Sequence, residues 1–181
     1  MITLYIVTGN AGKAASFRRL MPASIQFELA DIDLPEIQSF DARTIITDKV
    51  QRAYDVMGKP VLVEDVSAGL DALQGLPGPF IKFFEERLGK DALYQLSLGR
   101  DTGVTVTSTI GYYDGSKLII TEGIVHGVAV AARGENGFGF DCCFVPDGKS
   151  KTYAEMTVSE KDAISHRGLS VRALLAELKE L

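Results

Sequence analysis

The 181-residue sequence contains no tryptophan, only two cysteines and only two histidines. Cys142 and Cys143 are adjacent, so a strain-free disulfide between them is not expected, and their spacing matches no metal-binding motif. No apolar run approaches the roughly 20 residues of a membrane-spanning helix, and the N-terminus lacks the features of a signal peptide. We therefore expect reduced structural thiols, no membrane partner and a cytoplasmic protein.

Cationic charge is also scarce. The sequence has 19 lysines and arginines against 24 acidic residues, which gives a formal net charge of -5. Binding to a nucleic-acid backbone requires a cationic face, so we expect no nucleic-acid partner, although a few lysines could hold a small anion. The hydrophobic content of 46% suffices for one α/β domain with a substantial core. We therefore predict a single domain over residues 1–181.

Hydrophobic periodicity predicts alternating strands and helices. A buried strand at 4–7 precedes a helix at 14–21, and a second helix begins at the cap Asp41 and ends at Gly58. A strand resumes at 61–63, Pro79 suits the first turn of a helix that runs to Leu88, and a further helix covers 91–98. Strands at 104–113 and 117–130 are joined at Asp114-Gly115, which predicts an antiparallel hairpin. The last helix follows the cap Ser165 and buries the apolar stripe Val171, Leu174, Leu175 and Leu178.

The stretch "TGNAGK", residues 8–13, lies at the first strand-to-helix turn. It is not a Walker A loop, because Gly9 and Gly12 are too close together and Ala14 follows Lys13. Unpaired amides and the helix dipole nevertheless favour an anion at such a turn. A glycine turn without a ligand is the alternative, and other segments must decide between the two.

Three carboxylates form a second candidate cluster. Glu36 lies in the segment "LPEIQ", and Glu64 and Asp65 end the strand in "VLVEDVSAGL". Adjacent strand residues point to opposite faces, so Glu64 and Asp65 can share one site only if the strand breaks there, as the following small residues allow. Hard oxygen ligands of this kind suit Mg²⁺, whereas the alternative is that the pair only solvates a strand end.

Cationic residues are scattered along the chain, and most surface lysines have no specific role. Lys49 and Lys82 could simply extend to water. His166 and Arg167 differ, because they occupy the first turn of the last helix, where the dipole disfavours cations unless an electronegative partner faces them. A charge placed against its local preference favours a functional interpretation.

Seven segments, in order and at similar spacing, resemble the inosine and xanthosine triphosphate pyrophosphatases. The resemblance covers almost the whole chain, and the fourth segment is similar to the eukaryotic and archaeal form. The segments are "TGNAGK", "LPEIQ", "VLVEDV", "LPGPFIKFF", "GENGFGFDCCFVPDG", "TYAEM" and "EKDAISHR".

The resemblance implies an elongated α/β fold with two lobes around a long central mixed sheet, flanking helices, a cleft between the lobes, and a homodimer. It implies hydrolysis of ITP, dITP or XTP to the monophosphate and pyrophosphate, which cleanses the nucleotide pool. It assigns phosphate binding to Thr8, Gly9, Asn10 and Lys13, with Lys49 and Lys82 as further phosphate partners.

The same resemblance assigns the metal and the base. Mg²⁺, for which Mn²⁺ could substitute, would be held by Glu36 and Asp65, and Asp65 with Glu64 would orient or deprotonate the attacking water. Donors aimed at a 6-oxo group would reject adenine, and Phe138 or Phe140 would stack on the base. The implied base pocket comprises Phe138, Gly139, Phe140, Asp141, Lys161, His166 and Arg167.

Some positions depart from the family pattern. Ser16 stands where glutamate is common, Val66 replaces a hydroxyl residue after the acidic pair, Phe140 replaces Trp or Tyr, and Cys142 replaces proline. These departures leave two alternatives open. One is a nucleotide-binding protein with weak or altered turnover, and the other is a related pyrophosphatase that acts on modified pyrimidine nucleotides.

Overall fold

The structure, a computed structural model, describes residues 3–179. Its strands are β1 (Leu4–Val7), β2 (Phe27–Ala30), β3 (Val61–Leu70), β4 (Pro77–Gly78), β5 (Gly103–Tyr113), β6 (Leu118–Ala129) and β7 (Phe144–Pro146). Its α-helices are α1 (Ala11–Leu20), α2 (Ala42–Met57), α3 (Ile81–Leu88), α4 (Ala92–Ser97), α5 (Val158–Ile164) and α6 (His166–Leu178).

The seven strands form one mixed sheet in the order β2-β1-β3-β5-β6-β7, with β4 paired to β3. β1 runs parallel to β2 and β3, whereas β3 with β4 and β6 with β7 are antiparallel. The neighbours β5 and β6 are joined by only four residues, which requires an antiparallel hairpin. The predicted α/β class with a mixed central sheet and flanking helices is confirmed.

The chain divides into two compact units. Within the described residues, the first unit comprises the chain up to Asp65, the segment Ser108–Gly123 and the chain from Arg167, and the second comprises Val66–Thr107 and Ile124–His166. Both units are therefore discontinuous in sequence. The ranges of β3, β5 and β6 contribute residues to both units.

The first unit places helices on both faces of its strands, because alternating strand residues enter different clusters. Ile6 and Leu62 pack with Phe17 of α1 and Leu174 of α6. The neighbouring strand residues Val7, Val61 and Val63 pack instead with Ile46, Val50 and Ala53 of α2. This alternation fixes which face of β1 and β3 each helix covers.

The second unit has its own core. Leu70, Val104 and Phe144 from three strands pack with Ile81 of α3 and Leu93 of α4, and all five are buried. The predicted thiols lie here, where Cys143 is buried and Cys142 is half-buried, and both are free. Burial raises the pKa of the Cys143 thiol to about 12, which keeps it protonated.

Several predicted boundaries shift for identifiable reasons. α1 begins at Ala11 rather than 14, because Asn10 caps it by accepting from the Lys13 amide. The strand predicted at 61–63 continues to Leu70, so the expected break after Asp65 is wrong. α3 begins two residues after Pro79, since Pro77–Gly78 pairs with β3. The periodicity gave no signal for β2, β7 or α5.

No helix among the described residues is long and apolar enough to cross a membrane.

Gly111 of β5 lets α2 approach the sheet closely. A Cβ atom at Gly111 would lie 2.5 Å from Ile46 Cγ2 and 3.3 Å from Val50 Cβ. Gly111→Val should therefore lower the free energy of unfolding by about 1–3 kcal/mol through overpacking. Urea denaturation checks this, with Thr107→Val on the same strand as a control expected to stay within about 0.5 kcal/mol of the parent. Equal stability of Gly111→Val and the parent would contradict the packing described here.

Candidate active site

The segment 8–13 forms a compact turn that leads into α1. The Thr8 hydroxyl accepts from the Asn10 amide at 3.2 Å, and Asn10 Oδ1 accepts from the Lys13 amide at 3.0 Å. The Asp31 side chain lies close to Gly9, so that a Cβ there would be 2.7 Å from Asp31 Oδ1. The side chains of Thr8 and Asn10 thus shape the turn, and the backbone amides at the start of α1 remain without carbonyl partners inside the helix.

Glu64 of β3 holds two cations in a buried network. Its Oε1 accepts from Arg167 Nε at 2.7 Å and from the Ser108 hydroxyl at 2.7 Å. Lys13 Nζ lies 3.5 Å from Oε2 and donates to the Glu64 carbonyl oxygen at 3.1 Å. The Glu64 and Arg167 side chains are only 1% and 5% exposed. The network joins α1, β3, β5 and α6 within the first unit.

The charged groups of this network shift one another's pKa values. Burial alone would raise the pKa of Glu64, but Arg167 and Lys13 outweigh it and lower the pKa to about 2. Burial lowers the pKa of the Lys13 ammonium, and the Glu64 carboxylate opposes that effect. Glu64 is therefore ionised at neutral pH.

Asp65 lies beside a second group of charges. Burial raises the pKa of its carboxyl to about 6, with the Lys13 charge opposing this shift and the Glu36 charge adding to it. Glu36 forms an ion pair with Lys49 of α2, and the Lys49 charge also acts on Asp65. The structure thus brings Glu36, Lys49 and Asp65 together with Lys13, as the sequence predicts for a phosphate and metal site.

Glu64 and Asp65 do not share one side of the strand. Because β3 is continuous through both residues, their side chains alternate between its faces. Lys13 acts on both carboxylates, but Glu64 also contacts Ser108 and Arg167, whereas the charges of Glu36 and Lys49 act on Asp65. The two adjacent carboxylates therefore share Lys13 and differ in their other neighbours.

Asp65 has the properties of a metal ligand. Its Oδ2 is buried and has no hydrogen-bond partner within residues 3–179, which is costly for a polar atom unless a ligand is present. Within residues 3–179, no three His, Cys, Asp or Glu side chains are grouped so that they could hold an ion by themselves. A pair of carboxylates fits Mg²⁺, which takes its remaining ligands from water and substrate phosphates.

In the second unit, Asp141 organises the segment 138–141. The Asp141 carboxylate accepts from the Phe138 amide at 2.8 Å and pairs with Lys161 of α5. Lys161 Nζ also lies 5.3 Å from the centre of the Phe138 ring. A cavity of about 290 Å³ is lined in part by Phe138, Gly139 and Asp141. Four of the predicted base-site residues are thus neighbours.

The two candidate stacking residues differ in accessibility. Phe140 is 7% exposed and belongs to the core, with its ring centroid 6.3 Å from that of Phe144 and 6.0 Å from that of His166. His166 is also buried, and its ring centroid lies 6.0 Å from that of Tyr153. Phe138 is only half-buried. Phe138 therefore offers the better stacking face, and Phe140 packs behind it in the core.

His166, Arg167 and Lys82 differ in their surroundings. His166 and Arg167 begin α6 and are buried, at 3% and 4% exposure. The electronegative partner that the helix dipole requires near Arg167 is Glu64 of the protein itself. The side chain of Lys82 is 78% exposed and lies 3.9 Å from Glu86 on α3.

The sequence does not reveal three further participants. Ser108 and Ser170 complete the hydrogen bonds around Glu64, with their hydroxyls 2.8 Å apart, and nothing in their local sequence marks them. Glu85 of α3 lies against Gly139. Of the departures from the family pattern, Ser16 is buried and donates to the Gly12 carbonyl at 3.0 Å, and Val66 is half-buried.

Comparison with known proteins identifies the family. The model of the Ham1 family matches residues 4–177. The chain belongs to the Ham1 family. The inosine triphosphate pyrophosphatase of Schizosaccharomyces pombe is 38% identical to this Ham1 chain over 175 residues, which cover 95% of this chain and 93% of the relative.

Two solved structures share the fold of this Ham1 chain. A HAM1 protein from Coxiella burnetii superposes with a TM-score of 0.85 at 26% identity and covers 100% of both chains. A dITP/XTP pyrophosphatase from Mycobacterium abscessus gives a TM-score of 0.72 at 29% identity and covers 98% of this chain and 99% of its own. The likeness therefore extends over the whole fold.

Removal of the Glu64 charge should destabilise this Ham1 protein. Glu64→Gln leaves the Arg167 and Lys13 cations without their counter-charge, and breaking a buried pair in this way costs about 3–5 kcal/mol. Urea denaturation measures the loss. Glu122→Gln is the matched control, because it disrupts an exposed pair with Arg43, for which about 0–1 kcal/mol is expected.

The pH dependence tests the same network. Because the folded pKa of Glu64 is about 2 and its ordinary value is 4.5, its contribution to stability is complete above pH 4.5 and is lost as the pH falls towards 2. The parent should lose more stability than Glu64→Gln over that interval. Parallel stability curves for the two proteins would contradict the assignment.

Proposed function

We propose that this protein hydrolyses the non-standard purine nucleoside triphosphates ITP, dITP and XTP to the monophosphate and pyrophosphate. The observation that carries the proposal is the buried, unpartnered Asp65 Oδ2 beside Glu36, Lys13 and Lys49, close to a glycine turn at the start of a helix. The names of the relatives at the stated identities support the same reaction.

The phosphate chain requires fixed positive charge. A triphosphate carries about four negative charges, and moving them out of water is prohibitive without cations and amides that replace the lost hydration. Lys13, Lys49 and the amides at the start of α1 supply them in the first unit. We assign Lys82 as a further phosphate partner on the family resemblance alone.

We assign metal binding to Asp65 and Glu36 and the attacking water to Asp65. Bound Mg²⁺, or Mn²⁺ in its place, would neutralise charge that develops on the phosphate oxygens. Asp65 would orient the water or accept its proton, since a carboxyl whose pKa burial raises only to about 6 is ionised at neutral pH. Glu64 has its carboxylate committed to Arg167 and Ser108, so it positions Lys13 and Arg167 rather than the water.

We assign nucleobase binding to Phe138 and the residues around it. The half-buried ring offers a stacking face worth about 1–3 kcal/mol by analogy with other base–aromatic contacts. Gly139, Asp141 and Lys161 shape the segment, and the buried residues Phe140 and His166 support it from the core. We assign Arg167 to recognition of a purine 6-oxo group on the family resemblance alone, since an exocyclic amine would not satisfy its donors.

A cytoplasmic homodimer completes the proposal. The family resemblance supports both features, and the second unit exposes apolar side chains of the kind that interfaces cover, at Phe83 and Leu88 of α3 and at Ile124 and Val128 of β6. Light scattering tests the dimer, which requires a mass of twice 19.6 kDa. The mass of a single chain would contradict it.

Asp65→Asn tests the metal and base assignment. The substitution keeps the shape of the side chain but removes its charge and its basicity, so the kcat for ITP should fall by at least about 100-fold while the fold is retained. A pyrophosphate-release assay measures the rate. Asp55→Asn, at an exposed position of α2, should leave the rate unchanged. Parental turnover by Asp65→Asn would remove Asp65 from the mechanism.

Lys13→Ala tests the phosphate turn. Loss of a hydrogen bond to a charged group should weaken ITP binding by about 1.5–3 kcal/mol, measured by calorimetry without a divalent cation. Lys59→Ala is the control, because this exposed lysine donates to the Tyr5 hydroxyl at 3.0 Å and is assigned no role in phosphate binding. Inosine should bind both variants like the parent. A loss confined to inosine would place Lys13 at the base instead.

A further inference from the structure

Glu85 of α3 lies directly beneath the segment 138–141. A Cβ atom built on Gly139 would be 2.9 Å from Glu85 Oε1 and 3.3 Å from Oε2, so the carboxyl group touches the backbone of this segment. The Phe140 amide donates a hydrogen bond to the same carboxyl group. One side chain of α3 therefore contacts two successive residues of the candidate nucleobase site.

The contact is built into the fold of the second unit. α3 packs against the short helix Gly139–Cys142, and Gly139 has a φ of +59°, which favours glycine. A side chain at Gly139 would meet both this backbone strain and the Glu85 carboxyl group. Glu85 Oε1 is buried and has no hydrogen-bond partner within the described part of the chain. A purely structural role would normally pair such an atom, so pairing alone does not explain the Glu85 carboxyl group.

We propose that Glu85 is a positioning residue that holds the Gly139–Phe140 peptide and thereby fixes the positions of Phe138 and Phe140 at the nucleobase site. The role of the segment in base binding rests on the proposed function. The contact between Glu85 and the Phe140 amide does not.

The protonation of Glu85 should change the hold on the segment 138–141 near neutral pH. Burial raises the pKa of Glu85 to about 7, the Phe140 amide opposes this shift, and the Asp141 carboxylate adds to it. The other charges that act on Glu85 are Glu86 of its own helix and Lys90, whereas α4 and β4 contain no charged residue. Above neutral pH, ionised Glu85 accepts the Phe140 amide more strongly, and this effect exceeds its repulsion of Asp141. The segment should therefore hold a base best while Glu85 is ionised.

Amide chemical shifts measured by NMR test the contact without a ligand. In the parent, the Gly139 and Phe140 amides should titrate with a midpoint near pH 7, and in Glu85→Gln, a neutral side chain of the same shape, this step should be absent. Glu86→Gln is the matched control on the same helix and should keep the step. An unchanged step in Glu85→Gln, or no step in the parent, would overturn the proposal.

Binding of inosine monophosphate, measured by calorimetry at about pH 6 and about pH 8, tests the positioning role. The parent should bind about 3- to 10-fold more weakly at the lower pH, where protonation weakens the hold of Glu85 on the Phe140 amide, and Glu85→Gln should lose this dependence. Ionisation of the ligand itself is common to both proteins and cancels in the comparison.

Glu85→Leu removes the acceptor of the Phe140 amide. It should bind inosine monophosphate about 10-fold more weakly than Glu85→Gln, which keeps an acceptor, at both pH values, in line with a buried donor left unsatisfied. Equal affinity of Glu85→Leu and Glu85→Gln would overturn the positioning role. A parent that shows the amide step but binds no inosine monophosphate would contradict the proposed function and leave the contact intact.

Discussion

The buried carboxylate of Glu64 is the interaction on which the first unit depends. An isolated charge in such surroundings would be prohibitively costly, and only the simultaneous presence of Arg167, Lys13 and the Ser108 hydroxyl makes it stable. The same contacts fix the start of α6, the first turn of α1 and the middle of β3. Stability and the placement of the candidate phosphate residues therefore have one physical origin.

Adjacent carboxylates acquire opposite properties because β3 does not break. Glu64 faces two cations, and its pKa falls, whereas Asp65 is buried with less compensation, and its pKa rises. A low pKa suits a permanent counter-ion, and a raised pKa suits a group that exchanges protons or binds a metal. The strand alternation thus separates a structural role from a chemical one within two residues.

Much of this arrangement could be predicted from the sequence, and the failures have physical causes. The glycine turn, the cap at Asp41 and the hairpin at Asp114-Gly115 are local signals, and all appear in the structure. The continuation of β3 depends on pairing with its neighbours β5 and β4, which residues 64–70 alone do not reveal. The helix dipole predicts an electronegative partner for Arg167 but does not indicate where in the sequence that partner lies. The partner in the structure is Glu64, 103 residues away, which no local pattern reveals. Glu85 is likewise recognisable only through its contact with Gly139.

In the proposed reaction, the group of Asp65, Glu36, Lys13 and Lys49 cleaves non-standard purine nucleoside triphosphates between the α- and β-phosphates. The most direct measurement is product analysis with a panel of ITP, XTP, dITP, ATP and GTP in the presence of Mg²⁺. The account predicts monophosphate and pyrophosphate from ITP, XTP and dITP, with ATP and GTP turned over far more slowly. Release of orthophosphate and a diphosphate, or equal rates across the panel, would contradict it.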